Sequence, residues 1–310
     1  MTNNLNKVSA KDYLTTIRDN LVEQLENNSN KWHQSFINKN MPTNAVTGKH
    51  YNSTNFFNLN WVANTNNYAQ NIWASFLDWK KIGGKILTGE THKAKVLYYG
   101  SFTKENEKTK KEDKIPFLKA TPVFNIAQVD ITNCKIKFDF SDGVNKVVSI
   151  QEIDNFVNDT GVEIKHSNDG RCYYAKTTDY IHMTNKENFV KTSYADETSN
   201  YYSVLFHELI HSTGHNQRLD RFKDNDKKFK DNAQQSYAFE ELIAECGSIM
   251  LCQQFNLEKT IRTDHALYIK SWISALKNDV KFLTSSLTRA YKAVDFLNKK
   301  TKKVELKAVA

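Results

Sequence analysis

Between residues 8 and 29 the apolar positions Leu14, Ile17, Leu21 and Leu25 return every three to four residues, which predicts an amphipathic helix with Ser9 as its cap. An irregular aromatic stretch with Trp32, Phe36 and Pro42 follows, and Thr47 to Asn55, rich in Gly, Asn and Ser, predicts a loop. Helical spacing returns from Thr54 to Ala63 and again from Tyr68 to Trp79, and Gly83 to Glu90 predicts a turn between short strands. From Ala94 the pattern changes to that of strands, with Val96 to Tyr99 expected to pair with Pro122 to Ile126. The charged run Lys104 to Lys114 between them carries no apolar residue and predicts a mobile hairpin loop. Residues 131–150 read as a boundary, followed by a helix from Ile150 to Thr160 and strands at Tyr173 to Ala175 and Asp179 to Met183. The second of these, just before the helix at Tyr202 to His215, is expected to form a sheet edge along which an extended peptide binds. Asp264 to Leu297 is helical, and Lys299 to Lys307 is a basic tail.

Two helices break the pattern because they carry acids and histidines among apolar residues. Tyr202 to His215 contains His207-Glu208-Leu209-Ile210-His211 within an apolar segment, so the helix is buried and its polar side chains need partners. Residues four apart share a helix face, so His207 and His211 can present their imidazoles to one ion while Glu208 projects beside them. Neutral imidazole is a good zinc ligand, and a three-residue ligand set leaves a position for a water whose pKa falls to about 7. Glu208 is then placed as the general base. Gly214 offers a helix stop. The third ligand is expected from Ser236 to Leu251, where Leu242, Ile243, Cys246, Ile249 and Met250 form the apolar side. Glu241 is the expected ligand and Glu245, four residues on, the acceptor that fixes the tautomer of His207 or His211. Glu240 is the main rival for ligand, with Glu245 behind it. His215 is expected to cap or pack in the loop, with substrate contact as the alternative for it and for Tyr237. The ion is expected to be one Zn²⁺ per chain, another divalent transition metal being the alternative.

Composition narrows the class. The 310 residues are 39% apolar and 25% charged, an ordinary soluble balance, with no long apolar run and no signal-peptide core, so a cytoplasmic protein without membrane partners is expected. Cys134, Cys172, Cys246 and Cys252 lack C-x-x-C spacing, which argues against a zinc ribbon or a disulfide scaffold. Of the net charge of +8, residues 1–130 supply +6, from 17 Lys and Arg against 11 Asp and Glu. Four of the five tryptophans, Trp32, Trp61, Trp73 and Trp79, lie in this basic part. Aromatic faces among lysines suit single-stranded nucleic acid, although most aromatics in a small domain are core. No phosphate loop of the Walker type is present.

The chain resembles the ArdC-type antirestriction proteins of plasmids and other mobile elements from about residue 8 to residue 297. In front the resemblance rests on Gly48-x-x-Tyr51-x-x-x-Asn55, Trp73, Gly83-Gly84-Lys85 with Gly89-Glu90, and Val123 to Gln128. Behind, it rests on His207 to His215, Arg218-Leu219, Tyr237 to Glu245, and Ala290 to Leu297. Ser53 stands where the family usually has Gly, and Ser212 where it has Trp. The resemblance implies an α+β protein of two domains: an N-terminal single-stranded-DNA-binding domain over residues 1–130 and, beyond the boundary at 131–150, a zincin-like metallopeptidase domain over residues 151–310. It also implies protection of incoming DNA from restriction during conjugation. Candidate DNA contacts are then Trp32, Tyr51, Asn55, Trp73, Lys81 and Lys85. Two other readings stay open: a DNA-coating protein with a structural or inactive metal site, and a metalloprotease for a specific host protein.

Overall fold

The computed structural model describes residues 8–27, 32–33, 40–105, 112–138, 140, 150–192, 195–229, 232–257 and 266–301. Phe36, the centre of the charged run at 104–114, half of the boundary at 131–150 and the basic tail beyond Thr301 lie outside them.

Helix α1 (Ala10–Asn27) begins at Ser9, whose Oγ accepts the Asp12 amide, and buries its predicted stripe. After β1 (Thr43–Asn44) comes α2 (Ser53–Thr65). The helix expected from Tyr68 to Trp79 is instead β2 (Ile72–Ser75) followed by α3 (Phe76–Lys81). Both faces of β2 are covered, Trp73 and Ala74 being 0% exposed on opposite sides, so its apolar residues do not alternate, and a short run of this kind has no period to distinguish it from a helix. Ser75 ends it by accepting the Asp78 amide as the α3 cap. β3 (Lys85–Ile86) pairs antiparallel with β6 (Val129–Asp130). The long hairpin of β4 (Ala94–Glu105) and β5 (Glu112–Asn125) completes a sheet of order β1-β2-β5-β4. Val96 to Tyr99 pair with Leu118 to Thr121 and not with the expected Pro122 to Ile126, because Pro122 and Val123 pair with Lys95 and Ala94 and the end of β5 also serves β2. The two ends of the charged run, expected as loop, are strand, because the ladder continues out to Glu105 and Glu112.

β4 is an edge, and its outward backbone groups are partly covered. The Asn55 amide donates to Leu97 O (2.8 Å) and accepts from Leu97 N (2.7 Å), while Asn58 donates to Lys95 O and Tyr13 accepts from Lys95 N. Side-chain amides thus take the place of another strand.

In the rear half, α4 (Ile150–Asp159) leads to a sheet of order β7-β9-β8, from Glu163–Ser167, Tyr180–Thr184 and Tyr173–Ala175. β9, expected as the edge, is central: β7 pairs with it in parallel and β8 antiparallel, so β7 and β8 are the edges. Helices α5 (Glu197–Ser212), α6 (Arg221–Lys228), α7 (Ala233–Gln254), α8 (Ala266–Asn278) and α9 (Val280–Lys300) follow. The single helix expected at 264–297 is two, divided at Asp279, which accepts the Lys281 amide and so starts the second. α5 and α7 are buried on nearly all sides, which explains why acids among apolar residues are forced into specific pairings there.

One apolar core runs through both halves: Leu14, Trp32 and Phe56 belong to the same cluster as Phe206, Leu251 and Trp272. A buried amide chain also crosses between them. Trp73 Nε1 donates to Asn71 Oδ1 (2.6 Å), Asn71 to Asn60 Oδ1 (2.7 Å), and Asn60 to Gln253 Oε1 (3.0 Å) near the end of α7. All four cysteines are free, and among the described residues no helix is long and apolar enough to cross a membrane.

Candidate metal centre

The site forms where α5 meets α7. The two helices approach closely at Gly247: a Cβ there would lie 2.8 Å from both Cγ1 and Cδ1 of Ile210. Side chains one and two turns earlier on α7 therefore reach the histidine face of α5.

His207 Nε2 lies 3.0 Å from His211 Nε2 and 3.3 Å from Glu241 Oε2, and His211 Nε2 lies 3.4 Å from Glu241 Oε1. Bonds of 2.0–2.1 Å around one tetrahedral ion place ligand atoms about 3.3–3.4 Å apart, so these three groups already sit near the spacing of a zinc-type ligand set. All three side chains are buried. The opposite ring nitrogens are held separately: His207 Nδ1 is 3.2 Å from Glu245 Oε2, and His211 Nδ1 is 3.2 Å from Glu240 Oε1. With each Nδ1 proton directed to its carboxylate, both Nε2 lone pairs face the same point, an arrangement that repels unless a cation lies between them. The donor set thus fits a divalent ion.

Electrostatics point the same way. Burial pushes both imidazoles down, but the surrounding carboxylates outweigh it, Glu241 and Glu245 at His207, and Glu241, Glu240 and Glu208 at His211, which is held up at about 10. Burial pushes the Glu241 carboxyl up, and His211 and His207 bring it well below the usual range. Glu208 is buried beside His207, and Tyr237, one turn before Glu241, is exposed.

Glu240, the rival ligand in the sequence, is taken up elsewhere. Arg221 spans both its oxygens, Nε to Oε2 at 2.9 Å and Nη2 to Oε1 at 2.6 Å, and Asn225 donates to Oε2 at 2.8 Å. Burial pushes this carboxyl up, yet the Arg221 guanidinium brings it down to about 2. Arg221 also donates to Thr213 Oγ1 and Ile210 O, tying α6 to the end of α5. Spacing alone held no signal for Arg221, whose partner comes from a different helix.

The end of α5 is built differently from expectation. Gly214 has no left-handed backbone; it is needed for room, because a Cβ there would lie 2.7 Å from the Phe222 ring. Arg218, Nη1 and Nη2 to the two oxygens of Asp179 at 2.7 and 3.0 Å, braces the turn before β9 against Ser212 O. His215 packs in this loop, its Nδ1 3.8 Å from Asp179.

The front-half candidates separate by burial. Trp32 and Trp73 are 0% exposed, Trp32 edge-on to Trp272 and Trp73 bonded to Asn71, so neither can stack on a base. Tyr51 is buried with its hydroxyl accepting from Asn44, and the Asn55 amide is occupied by Leu97. Only Lys81 and Lys85 of the six are exposed. Tyr51 and Asn55 nevertheless line a cleft of about 550 Å³ at the root of the β4–β5 hairpin.

Two family models match the chain. Residues 11–124 match the family model for the N-terminal domain of anti-restriction factor ArdC, and residues 151–288 match a zincin-like metallopeptidase model. Among curated proteins the chain is 28% identical over 275 residues to the uncharacterized protein y4eC of Sinorhizobium fredii, covering 86% of this chain and 84% of that one. It is also 28% identical over 308 residues to the DNA primase TraC of Escherichia coli, but spans only 27% of that protein. Among solved structures it is similar to the metal-free crystal structure of the antirestriction ArdC protein from plasmid R388, with TM-score 0.77, 32% identity, and coverage of 95% of this chain and 99% of that one. The Mn(II)-bound structure of the same protein gives TM-score 0.72 and 30% identity, covering 95% and 100%. Matched from end to end at this identity, with a zincin-like rear half that brings two histidines and a glutamate together, the chain belongs to the ArdC family of antirestriction proteins.

Proposed function

We propose that this antirestriction protein binds single-stranded DNA with its front half, residues 1–130, and hydrolyses peptide bonds with a zinc-type centre in its rear half, residues 151–310. The observation that carries the hydrolase reading is the convergence of His207, His211 and Glu241, with a separate carboxylate on each imidazole. His207, His211 and Glu241 would hold one Zn²⁺, which supplies Lewis-acid polarisation and a water of lowered pKa. Glu208 takes the proton of the attacking water and passes it to the leaving amine. Glu245 and Glu240 keep the two imidazoles in one tautomer and orientation. Tyr237, exposed on the Glu241 face of α7, is placed to contact substrate.

The DNA reading is supported by the positive balance of the front half and by the ArdC match over residues 11–124. The similarity to part of a DNA primase is in keeping with a chain that meets single strands. Mn(II) in the relative's structure supports a divalent ion here.

The test is elemental analysis of the purified chain together with cleavage of a casein or peptide-library substrate, with and without single-stranded DNA. Glu208→Gln is expected to retain one equivalent of metal and the DNA affinity while cleavage disappears. Unchanged cleavage would remove Glu208 from the chemistry. Metal without cleavage under every condition would leave a DNA-binding protein with a structural ion.

A further inference from the structure

We propose that the β4–β5 hairpin carries the base-stacking surface for the single strand, along a row of aromatic rings that leads into the cleft at its root; this rests on the DNA-binding reading above. Strand register places Val96, Tyr98, Gly100, Phe102 and Lys104 on one face with Thr121, Lys119, Phe117, Ile115 and Asp113 opposite them. Tyr98, Phe102 and Phe117 are 48%, 51% and 38% exposed, although rings of this size are normally covered in a folded chain. They form a connected row. The Tyr98 and Phe117 centroids are 5.9 Å apart and those of Phe102 and Phe117 6.3 Å.

Gly100 makes the row continuous. A Cβ at that position would lie 2.5 Å from Phe117 Cζ and 2.9 Å from Tyr98 Cε1, so the Phe117 ring lies across the glycine and fills its place. Toward the body of the protein, Tyr98, Lys119 and Thr121 continue into the cleft of about 550 Å³, a volume suited to a small ligand such as one nucleotide. Tyr98 and Lys119 therefore belong to both features.

The chemistry favours a single strand over a protein partner. The exposed rings of the row outnumber the aliphatic Ile115 opposite Phe102, and aromatic faces stack on any base. Lys119 sits across from Tyr98 and supplies positive charge at the cleft end of the row, while Lys104 beyond Phe102 faces Asp113. The front half as a whole carries the excess of lysine that attracts phosphate. These residues stand in for Trp32 and Trp73, which the core absorbs.

Fluorescence anisotropy of a labelled oligonucleotide, with the full chain, tests this. Phe117→Ala and Tyr98→Ala are expected to weaken binding on the order of tenfold each, the loss of one stacked base. Val190→Ala, more exposed still but in the rear half, is expected to leave it unchanged. Phe117→Trp is expected to bind like the parent and to show quenching of its new indole by oligo(dT). Among the described residues this face carries Lys119 and Lys104, the latter opposite Asp113, so the plot of log affinity against log salt should have a shallow slope of about −1. A parent that binds single-stranded DNA, with both alanine variants within twofold and no quenching in Phe117→Trp, overturns the surface assignment alone and leaves the row to a protein partner. A parent that binds no single strand overturns the DNA reading and this surface with it.

Discussion

Replacing Arg221 with Met tests whether the buried charge of Glu240 is what fixes His211. The guanidinium is 3% exposed and makes two charge-assisted hydrogen bonds to Glu240, as well as bonds to Thr213 Oγ1 and Ile210 O. Methionine fills similar space but leaves a carboxylate deep in the protein with Asn225 and the His211 ring as its remaining partners. Removing one member of a buried pair costs about 3–5 kcal/mol, because the survivor keeps its desolvation penalty without compensation. The protein can limit that cost by protonating Glu240, whose carboxyl the guanidinium now holds at about 2. A protonated Glu240 donates where it should accept, so the His211 tautomer is no longer enforced and metal affinity falls by about 10–100-fold. Urea unfolding followed by tryptophan fluorescence measures the first effect, and competition with a chromophoric chelator the second. Arg221→Met/Glu240→Met removes both charges and should recover much of the stability but not the metal affinity. A loss below about 1 kcal/mol in Arg221→Met, with metal affinity unchanged, would refute the reasoning.

Glu241→Ala removes the ligand proposed on α7 and is expected to leave metal well below one equivalent by elemental analysis; full occupancy would transfer the role to Glu240 or Glu245. Gly247→Ala must displace Ile210, 2.8 Å from the new methyl, and should separate α5 from α7, lowering metal affinity about tenfold with a stability loss of about 1–3 kcal/mol, while an unchanged variant would show that Ile210 yields freely. Burial pushes the Tyr51 hydroxyl up to about 12, against 10.0 for the free side chain, with Asp78 adding to the rise and Asn44 opposing it. The raised group favours the folded state fully below pH 10, and that contribution is lost as pH rises from 10 to 12, about 2.7 kcal/mol in all. Tyr51→Phe should flatten this part of the stability profile in alkaline denaturation, and an identical profile would place the loss elsewhere. Chelation of the ion should lower the melting temperature, by an amount that depends on the free metal concentration; no change on adding Zn²⁺ back would argue against a site formed in the folded state.

The sequence by itself determined the elements with a clear period and which side chains share one helix face. α1 and the strand character of β4 follow from the spacing of apolar residues, and His207 and His211 share a face because four residues make about one turn, with Glu208 beside them. Glu241 and Glu245 were legible for the same reason, since they too are one turn apart. Relations between elements were decided by tertiary structure alone. β2 has no period because both its faces are covered, Trp73 and Ala74 packing into different core clusters, and β9 became central because β7, which left no signal of its own, pairs alongside it. Glu240 and Glu241 are adjacent in the chain, and only the crossing at Gly247 and the arrival of Arg221 from α6 make one the acceptor for His211 and bring the other to the two Nε2 atoms. Aromatic composition likewise could not say which rings are exposed: core packing took Trp32 and Trp73, and left Tyr98, Phe102 and Phe117 in solvent because the hairpin extends beyond the helices that cover its root. Periodicity is a property of neighbours along the chain, whereas burial and ligand convergence depend on which surfaces meet, and no local spacing encodes that.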